Sequence, residues 1–417
     1  MLNHDSANCQ ADLRELLVMA NIRAYRDVQG RLLLTRKFIE GVAAFARGWP
    51  GPVTVLIRVS DKRFSDLDPV EVLPGQLPFG FEIRPETPSG LAQRLHSAAL
   101  VLAFLSRYEA VLAPLCKALC VPLVYYSEYS LEVEKQIVDA DTRNPLLRWR
   151  RKLWVAQGER KRLQALPLAA GLQCSGTPTF DVYRTRNPNT IMFFDNRVRE
   201  AAVIDVLAFA AKTATLRQNR PLRLVFGGRW VRMKGVHHLP EVALHLKHTG
   251  VPFHLSIYGD GELRTEVQRA VGRLGLQDHV SLPGVLDFES GWLPMLRQQA
   301  DLFVCCHPQG DPSSTYPEVM SCGIPIVGYD NEALAGIVAL SGAGWVTPLN
   351  DRRALAAMIA SLSACREEIA GAAAKAREFG RQHAFEVTFT ARIVHMIKLS
   401  RLPNRASDDI QIRAAIA

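Results

Sequence analysis

The sequence has no apolar run approaching the roughly eighteen residues that a membrane-spanning helix needs. Its longest, Ala98–Leu105, is one strand long and stops before Arg107. The first residues, MLNHDSANCQADLRELL, lack the basic and apolar regions of a signal peptide, so none is expected. The eight cysteines fall at apolar positions without metal-ligand spacing: Cys305 and Cys306 are adjacent, and Cys116 and Cys120 lie one helical turn apart. That usage fits a reduced, cytoplasmic compartment. No carboxylate pair or Cys/His cluster has convincing metal spacing, so neither metal nor cofactor is expected. There is no internal repeat, and no nucleic-acid motif accompanies the net charge of +9, which argues against nucleic acid as a partner.

What is present begins with length. At 417 residues the chain exceeds one ordinary core and implies two domains. Part of its positive charge is concentrated: Arg143, Arg148, Arg150, Arg151, Lys152, Arg160, Lys161 and Arg162 face Glu159 alone. Leu146, Leu147, Trp149, Leu153, Trp154 and Leu163 interleave them at roughly helical spacing. Two readings stand: a basic helix in an anionic membrane interface, or a solvated helix whose apolar face meets the core.

Strands alternate with helices throughout, which predicts parallel, doubly wound sheets. In the first half, strands are expected at Leu13–Asn21, Val53–Val59, Phe79–Ile83, Ala98–Leu105, Val121–Tyr126 and Ala169–Cys174. Ile22–Arg31 reads as a polar loop carrying Gly30, and Leu33–Arg47 as a helix. Asn187-Pro188-Asn189 reads as the interdomain linker, giving domains 1–188 and 189–385. The second half restarts with strands at Ile191–Asp195, Leu222–Gly227, Phe253–Tyr258, Val280–Leu282, Leu302–Cys306, Ile324–Gly328 and Gly344–Val346. Glu367–Leu399 is helical with a break near Gly380, and residues 401–417 read as a flexible tail.

The chain is organised around ADLFVCCHPQGDPSSTYPEVMSCGIPIVGYDN, Ala300 to Asn331. A buried strand leads into a loop holding Pro308, Gly310, Asp311 and Pro312. Ser313, Ser314 or Thr315 can then cap a short helix that Gly323 stops before the next strand. Such a unit aims a helix N-terminus into the crevice at the strand ends, a place suited to phosphate or sugar hydroxyls. Glu318, one turn in, suits a ribose diol better than a phosphate.

Two further stretches, VFGGRWVRMKG from Val225 and LSIYGDGE from Leu255, stand before it in order. Together the three resemble the retaining nucleotide-sugar glycosyltransferases of family 4, the glycosyl transferases group 1 type, with the GT-B fold. The resemblance is good over Leu222–Gly328 and loose before Thr190. It implies two Rossmann-like domains facing a cleft, with an acceptor domain first and a donor domain second. It also implies a terminal helix, residues 386–400, crossing back to the first domain. The implied reaction is metal-independent hexosyl transfer from a nucleoside diphosphate sugar to a glycan or lipid-linked acceptor. Such chemistry serves cell-surface polysaccharide or glycolipid synthesis at the inner face of the plasma membrane.

By the resemblance, Arg229 and Lys234 clamp the donor diphosphate, where negative charge develops on the leaving group. Gly227 and Gly228 let backbone approach the phosphates, and Gly259 and Gly261 border the base or only relieve backbone strain. Ser313, Ser314 and Thr315 offer hydroxyls at the helix start, Glu318 matches the ribose contact, and Gly30 joins the donor-binding set. The sequence departs from the family twice. Where the family has Glu eight positions before Glu318, this chain has Gly310, with Asp311 beside it. The family's His after the fourth strand is missing from Phe104-Leu105-Ser106-Arg107. Glu128 is the remaining acidic candidate near the acceptor, or else it caps the next helix. These departures leave a second expectation open: a catalytically impaired nucleotide-sugar-binding or partner protein.

Overall fold

The computed structural model describes residues 15–27, 29–60, 69–218 and 220–401. The expected tail beyond Arg401 and the first residues of the expected N-terminal strand lie outside them; Arg401 itself donates to the Ala99 and Leu119 carbonyls. The first sheet comprises β1 (Leu16–Arg26), β2 (Leu32–Thr35), β3 (Val53–Ser60), β4 (Pro69–Val72), β5 (Gly80–Ile83), β6 (Leu100–Phe104), β7 (Leu123–Ser127), β8 (Gly171–Ser175) and β9 (Thr190–Phe193). Its parallel body runs β5-β3-β1-β6-β7-β8-β9, and β2 and β4 add antiparallel beside the end of β1. The second sheet comprises β10 (Leu222–Gly227), β11 (Phe253–Tyr258), β12 (Val280–Gly284), β13 (Leu302–Cys305), β14 (Ile326–Tyr329) and β15 (Gly344–Thr347). It is wholly parallel, in the order β12-β11-β10-β13-β14-β15. Its central strands are covered on both faces, which is why they read as unbroken apolar runs such as LFVC.

The first domain departs from expectation in four places. Ile22–Arg31 is mostly strand: β1 continues to Arg26 and turns through Gly30 into β2. Its polar residues alternate with Ile22 and with buried Ala24, the signature of a strand with one wet face. Leu32–Thr35 is likewise strand, and the helix begins at Arg36, where Thr35 accepts a hydrogen bond from Phe38 N at 3.3 Å. Part of the expected long loop before β5 is the edge strand β4. Most consequentially, β9 pairs with β8, so Asn187-Pro188-Asn189 is a turn inside the first domain. The chain crosses only after Phe193.

In the second half, helices that the sequence pattern places at Ala201–Leu216, Val236–Thr249 and Gly291–Gln299 start later, at Val206, Leu239 and Leu293. The helix expected to break at Gly380 runs from Arg366 to Gln382 and breaks at His383–Ala384. Gly380 instead lets it press on the helix Thr315–Ser321, because a Cβ there would lie 2.4 Å from Ser321 Cα.

The last helix, Phe385–Leu399, returns to the first domain. Phe385, Phe389, Ile393, Met396 and Ile397 form its apolar stripe and pack with Leu16, Val18, Phe45 and Val55. Arg392 sits in that stripe, buried among Phe45, Phe193, Phe389 and Tyr126, with its guanidinium 4.2 Å from the Phe193 ring centre. Its Nε donates to Gln173 Oε1 at 2.8 Å, and Gln173 donates back to the Arg392 carbonyl at 3.0 Å. Burial lowers the Arg392 pKa to about 10, which keeps it charged at neutral pH. Arg392→Ala should therefore cost about 2 kcal/mol or more, because it removes the guanidinium from the ring faces and leaves the buried Gln173 Oε1 without its donor. Urea unfolding checks this; a loss below about 1 kcal/mol, near surface-substitution scale, would refute it.

Candidate active site

A cleft of about 630 Å³ opens between the carboxyl ends of the two sheets. Its second-domain wall begins at the end of β10. There Gly227 and Gly228 lead to Arg229, which is exposed in the cleft, and to buried Lys234 on the following turn. Gly235 has φ +65° and lies so close to β13 that a Cβ would fall 1.8 Å from the Cys306 carbonyl oxygen. The Lys-Gly pair is thus dictated by backbone contact as well as by charge. Gly259 is equally constrained, with φ +117° and the Gly228 carbonyl oxygen 1.9 Å from a Cβ.

Asp311, Ser313, Ser314, Thr315 and Glu318 enter the cleft from the loop and helix after β13. Lys234 ion-pairs with Asp311, and its ammonium lies 3.4 Å from Ser313 Oγ. Burial would raise the Asp311 pKa, but the Lys234 ammonium overcomes it and holds the carboxyl ionised below its ordinary range. The expected side-chain cap on the helix is not made: Ser314 is itself helical, and Glu318 N bonds to its carbonyl. Ser313 instead meets the Lys234 ammonium, and the Ser314 side chain bears on the Glu318 carboxyl. Burial pushes Glu318 up to about 7, against the lowering effect of Arg197 and Lys37.

The first domain supplies the opposite wall. Glu128 lies just past β7, and the cap of the next helix is Ser130, whose Oγ accepts from Val133 N at 3.3 Å. Glu128 therefore lines the cleft rather than capping. Burial, offset by Lys37, raises it to about 7. Three residues without a motif also converge here. Lys37, in the first turn of the helix Arg36–Gly48, ion-pairs with Asp195 just beyond β9. Desolvation opposes the Lys37 charge, but Asp195 wins and its pKa rises. Arg197 stacks 4.3 Å from the Phe288 ring centre. Their only sequence signal was position at strand ends and a helix start, and the misplaced linker hid Asp195.

Tyr258 and Trp292 meet edge to face at 5.6 Å, and with the Val285–Glu289 loop they wall the end of the cleft beyond β11 and β12. Two expected donor residues are not in the lining. Gly30 turns the β1–β2 hairpin, and Gly261 seats the Trp230 backbone, 2.7 Å from a Cβ. Among the described residues no three His, Cys, Asp or Glu side chains are placed to hold a metal ion.

Residues 210–382 match the model of the family described as glycosyl transferases group 1. They form a group 1 glycosyl transferase domain. WcaL of Escherichia coli strain K12, named provisionally as a colanic acid biosynthesis glycosyltransferase, is 29% identical over 165 residues, 38% of this chain and 40% of WcaL. The amylovoran biosynthesis glycosyltransferase AmsK of Erwinia amylovora is 28% identical over 151 residues, 35% of this chain and 37% of AmsK. This chain thus spans well under two thirds of the length of those relatives. Across the whole fold, the Anabaena HepE structure in complex with UDP superposes with a TM-score of 0.62 at 16% identity, covering 92% of this chain and 99% of HepE. The architecture is GT-B.

The raised Glu318 pKa has a consequence for stability. From about pH 4.5 upward the unfolded chain releases this proton, while the folded chain holds it until about 7. Stability should therefore fall as pH rises through that window and level off above it. Glu318→Gln removes the cost, so its Tm should exceed the wild-type value at about pH 8, with the gap closing toward about pH 5. A pH-independent difference would show that burial of the charge is not the cause.

Proposed function

We propose that the protein is a retaining hexosyl-type glycosyltransferase. It would move a sugar from a nucleoside diphosphate donor to a glycan or lipid-linked acceptor in cell-surface polysaccharide or glycolipid assembly. The observation that carries this reading is the convergence of Arg229, Lys234 and Glu318 on one cleft, with Glu128 opposite. In this reading the anomeric C–O bond to the β-phosphate breaks and a C–O bond to the acceptor oxygen forms on the same face. The departing phosphate takes the acceptor proton. Arg229 and Lys234 stabilise the charge that builds on that phosphate, in place of a metal ion. Asp311 holds the Lys234 ammonium in the cleft and stands nearest the position of the family's sugar-contacting Glu. Glu318 accepts from the ribose diol, Gly227, Gly228 and Gly259 border the phosphates and base, and Ser313, Ser314 and Thr315 donate to sugar or phosphate. Glu128 orients the acceptor hydroxyl.

The family match and the polysaccharide-assembly names of WcaL and AmsK support this class of chemistry, and the UDP in HepE supports a nucleotide donor. A second reading, a nucleotide-sugar binder without turnover, is favoured by the missing first Glu and by the Lys234–Asp311 pair that occupies one clamp cation. Turnover decides between them. Arg229→Ala and Lys234→Ala should each lower kcat/KM at least about a hundredfold, the loss of roughly 2.7 kcal/mol of transition-state stabilisation. Chelator should leave the rate unchanged. Normal turnover in both variants, or loss on chelation restored by Mg²⁺, would reject the mechanism; donor binding with no transfer or hydrolysis would favour the binder.

We further propose a peripheral position on the inner face of the plasma membrane, through the helix Pro145–Ala165. No helix among the described residues is long and apolar enough to cross a membrane. The solvated-helix expectation placed the apolar face on the core, whereas Leu146 is 79% exposed and Trp149 65%. The buried side carries Val155, Gly158 and Arg162, the last paired with Glu159 and Glu134. Arg143, Arg150 and Arg151 remain exposed near the apolar residues. Each basic side chain near an anionic surface adds about 1 kcal/mol. Flotation with anionic liposomes should therefore weaken as salt rises and fail in Trp149→Ser/Arg150→Ser. Equal flotation with neutral liposomes, or none with either, would reject the proposal.

A further inference from the structure

A second crevice, of about 710 Å³, opens at the carboxyl ends of β1, β3 and β5 and shares no lining residue with the cleft. Each of these strand ends brings an arginine to it. Arg23 on β1 and Arg58 on β3 are register partners, so two like charges leave neighbouring parallel strands side by side, which is unfavourable without a counter-charge. Arg84 follows β5, held by a hydrogen bond from its N–H to the Ile57 carbonyl at 2.9 Å. Among the described residues Glu109 answers two of the three: the same Oε1 lies 2.5 Å from Arg84 Nη1 and 3.3 Å from Arg58 Nη2. The Arg84–Glu109 pair is buried, at 8% and 7% side-chain exposure, while the Arg58 side chain is 47% exposed. Glu86 also reaches the rim. Thr87 and Pro88 open the helix Pro88–His96, whose positive end adds to the same field. Ile83 and Val111, both exposed, give the crevice an apolar wall.

Guanidinium groups at a concave site, beside a helix N-terminus and an apolar wall, suit an oxyanion carried on a larger body. β1, β3, β5, β6, β7 and β8 run parallel, so the edge that opens the crevice also presents Glu128 and Ser175 to the cleft. We propose that the crevice is a second acceptor subsite, binding a phosphate or carboxylate group of an extended anionic acceptor whose reacting end lies in the cleft. This rests on the glycosyl-transfer reading for the identity of the ligand, although the binding itself does not.

The test is calorimetric titration of the full chain, held in saturating UDP so that the donor clamp is filled, with inorganic pyrophosphate and separately with glucuronate. The comparison is the Arg23→Ala/Arg58→Ala double variant, which leaves the buried Arg84–Glu109 pair in place. At least one anion should bind the wild type about tenfold or more tightly than the variant, with UDP affinity unchanged as the measure of intact folding. Preference for pyrophosphate indicates a lipid-phosphate type of group, and preference for glucuronate an acidic sugar. Equal binding by wild type and variant, or no binding of either anion to the wild type, overturns the subsite. Failure of UDP to bind the wild type would count against a uridine donor alone; the crevice would then be decided by the difference between wild type and variant in glucuronate binding, with urea unfolding as the measure of intact folding.

Discussion

The cleft depends on one buried cation. Arg392 arrives on a helix that belongs by sequence to the second domain and lodges between aromatic rings of the first. A guanidinium with an amide partner and ring faces tolerates burial far better than an ammonium, because its charge is delocalised and weakly hydrated. The same residue sits close enough to Asp195 and Glu128 to bear on their ionisation. Packing and electrostatics thus meet at one point. The return helix fixes where the first sheet ends, and that end carries Glu128 and the Lys37–Asp195 pair toward Glu318.

Gly310 shows how this seating reshapes a motif. Its N–H donates to Gln136 Oε1 at 3.0 Å, and Gln136 donates to Glu332 at 2.8 Å, so the first-domain helix Leu131–Asp141 lies directly on the loop. A Cβ at position 310 would lie 2.5 Å from a Glu332 carboxylate oxygen, which can swing aside, and 3.1 Å from Val133 Cγ2, on the opposing domain. A full Glu side chain there would also add a carboxylate beside Glu332 and Asp311. The missing acid is therefore consistent with close domain contact. Asp311, one position on, turns instead to Lys234.

These cases explain what could be read from the sequence. The second sheet was legible because parallel, doubly covered strands must be continuous apolar runs, and glycines or prolines mark their ends. Arg229, Lys234 and Glu318 were singled out through the family resemblance, and the structure brings all three to the cleft; beside them, Gly235 is required by its close approach to Cys306. The β1–β2 hairpin was not, since a strand with one wet face resembles a loop when its inward residues are as modest as Ala24. The domain crossing was missed because Asn187-Pro188-Asn189 has linker composition. Asn187 in fact braces the turn, donating to the Leu166 and Ala169 carbonyls at 2.9 Å. Composition reports local conformation there; the pairing of β9 with β8 is a long-range fact that it does not encode.

Several charges of the cleft are answered within the chain itself. Lys234 is held by Asp311 and Lys37 by Asp195, so two of its cations are already answered by the chain's own carboxylates. For Glu128 burial outweighs the lowering effect of Lys37, and for Glu318 that of Arg197 and Lys37, so both carboxyls are raised to about 7. Charge in the cleft is thus moderated by two different routes, pairing and proton retention. A dianionic diphosphate entering it would compete with Asp311 for Lys234, and its field would favour the protonated forms of Glu128 and Glu318. On the proposed reading, donor binding is then coupled to proton uptake. The carboxyl groups that later orient the ribose and the acceptor hydroxyl would also limit the repulsion that the donor meets on arrival.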